Sequence, residues 1–195
     1  MKNKKVKISV VATAVALSMT TAVSVGAAVS AQESTGIPNT AMAASSTPTA
    51  DVVEENGFQF DKSTGTITDY TGNETGTLTI PSSIDGVTVT SIKAYALGSA
   101  KMKEVVIPNT IETLGFGVFQ MCSSLEKVTF ESGSKVTELK DSMFYQCTKL
   151  KEVVFPKNLK SIKVLAFYKC TSLETVTLPE GFTTLYNAAF LDCTN

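Results

Sequence analysis

The 195-residue chain contains no histidine and no tryptophan, and all 17 of its basic residues are lysine. Each absence removes a class of chemistry. Without histidine the chain lacks the usual neutral-pH general base, the partner that activates a serine or cysteine nucleophile, and the imidazole metal ligand. Without arginine there is no planar fork to grip phosphate or carboxylate through two parallel hydrogen bonds. No glycine-rich phosphate loop, nucleophile elbow or paired cysteine motif with metal spacing is present either. The balance points away from enzyme chemistry, with no cofactor implied, and towards a binding or structural protein. At 43% hydrophobic and 18% charged residues, the chain has enough apolar bulk to fold.

Lys2, Lys4, Lys5 and Lys7 make a basic start, followed by an uncharged stretch from Ile8 to Ala31 that is rich in Val, Ala, Ser and Thr and closes on Val29-Ser30-Ala31. This is the layout of a secretory signal peptide with a small-residue cleavage site, so residues 1–31 are assigned to a removable leader. A retained transmembrane anchor is the alternative, because the stretch is long enough to cross a bilayer; its Ser and Thr content and cleavage-like end favour the leader. The protein is therefore expected to be secreted or held at the cell surface, with no membrane insertion after leader removal. Loss of four lysines and no acid makes a chain of formal charge −1 distinctly acidic. An acidic chain without clustered lysines is a poor match to nucleic acid or an anionic membrane. Residues 32–50, QESTGIPNTAMAASSTPTA, are small and polar with too little bulk to pack, and read as a disordered linker.

Self-similarity organises the remainder. Leu150 to Cys170 reads LKEVVFPKNLKSIKVLAFYKC and Leu173 to Cys193 reads LETVTLPEGFTTLYNAAFLDC, offset by about 23 residues. Met102 to Cys122 keeps Pro108 and ends Val118-Phe119. Leu125 to Cys147 replaces the Pro turn with Glu131-Ser132-Gly133-Ser134-Lys135 and is longer. Leu78 to Ala100 keeps Pro81, inserts Asp85-Gly86 and ends on Ala96-Leu97. No copy carries enough apolar positions to close a core alone, so the copies must stack into a solenoid with one shared interior. In each copy Leu-x-x-Val-x-Phe alternates as a short strand, Pro or Gly turns the chain, and Ala-Phe-x-x-Cys closes the coil. First strands of adjacent coils should pair into a parallel sheet, and Phe119, Phe144, Phe167 and Phe190 should form one column. Ahead of the coils, residues 51–77 hold short alternating runs at Phe58-Gln59-Phe60 and Thr66 to Tyr70 with turn-rich spacers, read as a β-hairpin cap over the open N-terminal end. The solenoid, residues 78–195, stops two residues after the last Cys without a polar closing segment, which reads as a fragment of a longer array.

The unit L-x-x-V-x-L-P-x-x-L-x-x-I-x-x-x-A-F-x-x-C-x-x-L resembles the BspA-like leucine-rich repeats of bacterial surface proteins. The resemblance implies a β-rich leucine-rich-repeat solenoid of about five coils of about 23 residues, exported, held at the cell surface and used for adhesion to host or neighbouring-cell proteins.

Cys122, Cys147, Cys170 and Cys193 would usually suggest disulfides in an exported protein. All four occupy the same coil position, where an in-register stack points their Cβ bonds the same way rather than at each other. Buried, reduced thiols filling the role of a small apolar group are expected, not disulfides or a zinc site. Alternation along the first strands places Thr79, Val106, Thr129, Val154 and Thr177 outward in one row, with Thr77, Glu104, Lys127, Glu152 and Thr175 in the next. From these, Thr79, Glu104, Val106, Lys127, Thr129, Glu152, Val154 and Thr177 are the candidate ligand-binding residues of a protein-docking face; ordinary sheet surface chosen for β propensity is the plainer reading. Glu104 and Glu152 alternate with Lys103, Lys127 and Lys151, as on a solvated face, and form no acid–base pair in a cleft. Tyr145 and Tyr168, aligned with Gln120 and Leu191, are a second-ranked, carbohydrate-binding alternative. The expected function is a non-enzymatic adhesion-type module that binds a host matrix or neighbouring-cell surface protein. The alternative is an N-terminal scaffold or spacer of a longer secreted enzyme or wall-anchored protein.

Overall fold

The computed structural model describes Lys4–Lys7 and residues 51–194. The rest of the leader assigned to residues 1–31, and the linker assigned to 32–50, lie outside the described residues. Every regular element among the described residues is a β-strand. The first, β1 (Lys4–Lys7), is far in sequence from the rest. β2 (Val52–Glu55), β3 (Phe58–Asp61) and β4 (Thr66–Tyr70) form an antiparallel meander. The coils then contribute β5 (Thr77–Thr79), β6 (Ser83–Ile84), β7 (Val87–Thr88), β8 (Ser91–Ile92), β9 (Glu104–Ile107), β10 (Thr113–Leu114), β11 (Lys127–Phe130), β12 (Glu138–Leu139), β13 (Glu152–Val154), β14 (Ser161–Ile162), β15 (Thr175–Leu178) and β16 (Thr184–Leu185).

The meander has one strand more than the hairpin read from the sequence. The extra turn is Asn56-Gly57, with φ of 50° and 81°. Two left-handed residues make the short turn whose twist matches that of the strands it joins, and Asn-Gly is the pair that adopts it most readily. Phe58 and Phe60 of β3 and Ile67 of β4 point inward and are buried. β4 then pairs in parallel with β8, and β8 with β10, aligning Ile67, Ile92 and Leu114. The meander thus closes one end of the sheet built from the second, shorter strands. It does not cover the first-strand sheet, whose edge at that end is β5.

The first-strand sheet runs β5-β9-β11-β13, all parallel. Leu78, Val105, Val128 and Val153 share one register and are buried beneath it. β15 departs from the expected fifth position. It makes no ladder with β13, and its ladder goes instead to β1, antiparallel. The second-strand sheet is also interrupted: β12, β14 and β16 form their own parallel set, unpaired with β10. The interruption falls at the longer coil, where Glu131 to Lys135 replace the proline turn. That loop is tied to its neighbours by Asn109 Nδ2, which donates to the Ser132 carbonyl, and Asn158 Nδ2, which donates to the Ser134 carbonyl, each at 3.3 Å.

Where a helix would ordinarily close the coil, the chain makes a tight non-helical turn with two left-handed residues four apart. These pairs are Tyr95 and Ser99, Gly117 and Met121, Ser142 and Gln146, Leu165 and Lys169, Ala188 and Asp192. Alternating hands turns every second N–H along the solenoid axis. In the third coil Ser142, Phe144 and Gln146 donate to the carbonyls of Val164, Ala166 and Tyr168, at 3.1, 2.7 and 2.7 Å. The same pattern recurs from coil to coil, so buried turn backbone is satisfied by the next coil rather than by its own.

The aromatic column is continuous. Ring centroids are 5.5 Å apart from Phe119 to Phe144, 5.1 Å from Phe144 to Phe167 and 4.9 Å from Phe167 to Phe190. Phe119, Phe144 and Phe167 are fully buried, each worth about 1.5–3 kcal/mol of transfer free energy. Leu97 takes the same place in the first coil and is also buried.

Candidate functional site

The first-strand sheet brings seven of the eight candidate residues together. Thr79, Val106, Thr129 and Val154 stand opposite one another across β5, β9, β11 and β13, and Glu104, Lys127 and Glu152 form the adjoining row with Thr77. The inward neighbours Val105, Val128 and Val153 are buried, so the alternation turns both rows to solvent. Thr177 is exposed but outside this register, because β15 is not laddered to β13; a groove lined by Glu152, Val154, Thr175, Thr177 and Leu178 lies between them.

The charged row is partly paired. Lys127 Nζ is 3.1 Å from Glu152 Oε2, and Thr77 Oγ1 donates to Glu104 Oε2 at 3.4 Å. With both partners well exposed, the ion pair adds little stability and leaves the row polar, with Glu104 held only by the Thr77 hydroxyl. The other row is β-branched, and Val154 is 41% exposed. Chemically the surface can make side-chain contacts over a broad area but holds no acid–base pair. Among the described residues, no group of three or more His, Cys, Asp or Glu is placed to hold a metal ion, and no helix is long and apolar enough to cross a membrane.

The turn edge carries features that the sequence reading ranked lower or missed. Tyr145 and Tyr168 stack at 4.8 Å, which uses one face of each ring against the other. Tyr95 and Phe116, about half exposed, meet edge to face at 4.8 Å. They stand in adjacent columns, one residue out of step, rather than in one repeat position, so an alignment of the copies does not bring them together. Glu138 is a second unanticipated centre. Its carboxylate accepts hydrogen bonds from Lys140 and from Lys163, the latter at 2.9 Å, and these bonds lower its pKa to about 2. Lys163 also donates to the Tyr186 hydroxyl at 3.1 Å; Glu138 first, then Tyr186, raise the lysine's pKa. The signal lay in the lysines at the same position of successive coils, Lys140 and Lys163.

The four cysteines are free and buried. Their role differs from that of a small apolar group. Cys122, Cys147, Cys170 and Cys193 donate S–H to the carbonyls of Leu97, Phe119, Phe144 and Phe167 in the preceding coil, at 3.1, 3.0, 3.1 and 3.0 Å. Burial pushes the Cys147 and Cys170 thiols well above their ordinary pKa and that of Cys193 up to about 11. Enclosed thiols are poor nucleophiles, so the column is structural.

The repeat, the two parallel sheets and the stacked turns define a leucine-rich repeat solenoid, and known proteins specify which kind. The family profile described as BspA type leucine rich repeat region matches residues 60–195 in six copies, and the chain belongs to that family. The match begins ahead of the five coils counted from Leu78, as the pairing of β4 with β8 also implies. Among solved structures, a leucine-rich repeat protein of T. pallidum is 27% identical with a TM-score of 0.63; the alignment covers 72% of this chain and 67% of that one. A leucine-rich repeat protein from Bacteroides ovatus is 27% identical with a TM-score of 0.53, over 73% of this chain and 38% of that one. No curated protein matches the chain.

Proposed function

We propose that this chain is a non-enzymatic, adhesion-type module of an exported or cell-surface protein, which docks a protein partner such as a host matrix or neighbouring-cell surface protein on its first-strand sheet. The observation that carries the reading is the pair of register-aligned rows, with Thr79, Val106, Thr129 and Val154 in one and Glu104, Lys127 and Glu152 in the other. Repeat proteins use such extended surfaces because each coil adds one rung without altering the others. The leader read from Lys2 to Ala31 supports export, and the absence of histidine and arginine supports a role without catalysis. Thr177 belongs to the face only if the groove beside β13 closes on the partner.

The test is binding of the purified protein to immobilised matrix proteins and to bacterial surface proteins, alongside a Val106→Asp, Val154→Asp double variant. Binding at micromolar concentration that the double variant loses is the expected result. Absence of binding to both sets, or binding that the double variant retains, would overturn the assignment of this face.

A further inference from the structure

The two sheets end differently at the cap. The second-strand sheet continues past β8 into β4, which takes the place of one further coil, whereas the first-strand sheet ends at β5. This edge does not arise at a chain end, because residues 51–76 run ahead of β5 and the meander they form joins the other sheet. β5 bonds β9 on one side: the Gly76 carbonyl accepts from the Glu104 N–H at 3.1 Å, and the Ile80 N–H donates to the Val106 carbonyl at 3.0 Å. By the alternation of a strand, Thr77 and Thr79 turn their N–H and C=O groups the other way, and among the described residues no strand pairs with them. A groove of about 560 Å³ runs along that edge, between Thr77–Thr79 and a wall formed by the Asn56-Gly57 turn, Tyr70 and Glu74. Its size falls in the range of ligand sites.

We infer that the Thr77–Thr79 edge is a strand-accepting site for a short extended segment of a partner protein in which lysine alternates with an apolar residue. A row of N–H and C=O groups templates an added strand; the main-chain bonds give affinity and the side chains beside them give selectivity. Residues opposite one another across a sheet point the same way, so β5 sets the pattern of what it takes. Leu78 turns inward and is buried, and the Phe58 and Tyr70 rings, 4.7 Å apart, line the same groove, so the residue opposite Leu78 is apolar. Thr77 and Thr79 are exposed, so the residues opposite them are solvated. Charge selects lysine there. Residues 51–85 hold seven Asp and Glu against a single lysine, Lys62, which is paired with Asp85 at 2.6 Å. Glu74 stands on the groove itself, and Glu104 lies one strand further in, opposite Thr77. The site is distinct from the outward sheet face: it uses backbone groups at the cap end of the array rather than side chains along it.

The test is amide hydrogen exchange followed by nuclear magnetic resonance on the full chain. Without added peptide, Thr77 and Thr79 should exchange about ten-fold faster or more than Leu78 and Ile80, whose N–H groups face β9. Equal protection at all four means that another segment of this chain covers the edge, and overturns the site. A synthetic Lys-Val-Lys-Val-Lys peptide at about 1 mM should slow Thr77 and Thr79 by about six-fold, as a dissociation constant of about 0.2 mM requires, and a Glu-Val-Glu-Val-Glu peptide should not. No slowing by the lysine peptide overturns strand addition at this edge; equal slowing by the glutamate peptide overturns the charge selection. Glu74→Gln keeps the acceptor that this side chain offers the Gly76 N–H and removes its charge. The slowing by the lysine peptide should then fall by about two-fold or more, with exchange of Leu78 and Ile80 unchanged. Undiminished slowing in that variant overturns the placing of the peptide in this groove.

Discussion

Truncation of Phe144 to alanine removes the middle of the aromatic column. The ring is fully buried and flanked by Phe119 at 5.5 Å and Phe167 at 5.1 Å, so its loss leaves a cavity walled by two other coils. Buried Phe→Ala changes cost about 3–5 kcal/mol, a large share of a folding stability of about 5–15 kcal/mol. Phe190 is a built-in control, being partly buried and stacked on one ring only. Its truncation should cost about half as much, because fewer neighbours lose contact. Phe144→Leu should cost about 1–1.5 kcal/mol, since the first coil already closes on buried Leu97. Urea unfolding followed by far-ultraviolet circular dichroism measures all three, the chain having no tryptophan to report. With a slope of about 2 kcal/mol/M, Phe144→Ala should lower the midpoint by about 2 M. A cost near 1 kcal/mol for Phe144→Ala, or an equal cost for Phe190→Ala, would refute the shared-interior argument at its centre.

Gly117→Ala should destabilise by about 1–3 kcal/mol in thermal melts, since φ is +58° and the new Cβ would stand 2.5 Å from the Tyr95 ring. Gly115→Ala should cost more, because its Cβ would meet the Ala94 backbone at 2.3 Å and a backbone cannot swing aside. Glu138 has a folded pKa of about 2 against an ordinary 4.5, so the unfolded state binds more protons across that window. Its contribution is full above the unfolded value and lost as pH falls towards the folded one; Glu138→Gln should flatten the loss of stability in acid titrations. Denatured, unreduced protein should yield four free thiols in an aromatic-disulfide titration, and fewer would place a disulfide where the structure has S–H···O=C bonds.

Much of this architecture is legible in the sequence because stacking is periodic. Once Leu150 to Cys170 and Leu173 to Cys193 are aligned, the parallel register, the buried Phe column and the outward rows follow from the two-residue period of strands. What escapes the reading is local or aperiodic. The Asn56-Gly57 turn occurs once, so a search for repeats passes over it although the dipeptide is itself a hairpin signal. The break between β10 and β12 comes from one longer coil, an exception to the period. The cysteine position looks like any small apolar site, since only coordinates reveal that its S–H reaches the preceding coil's carbonyl. The candidate face is legible strand by strand, yet its fifth rung is absent because β15 makes no ladder with β13, a departure from the period that no repeat alignment contains.

The coils carry their own reporters, which allows the central claim to be tested without a mutation. Cys122, Cys147 and Cys170 are buried at one equivalent position in successive coils. Thiol labelling at increasing urea, quantified for each cysteine by mass spectrometry, measures where each coil opens. Coils that complete one another's interior predict a single shared midpoint for these three thiols, coincident with the loss of circular dichroism. Three separate midpoints, with one coil labelled while its neighbours stay protected, would contradict it.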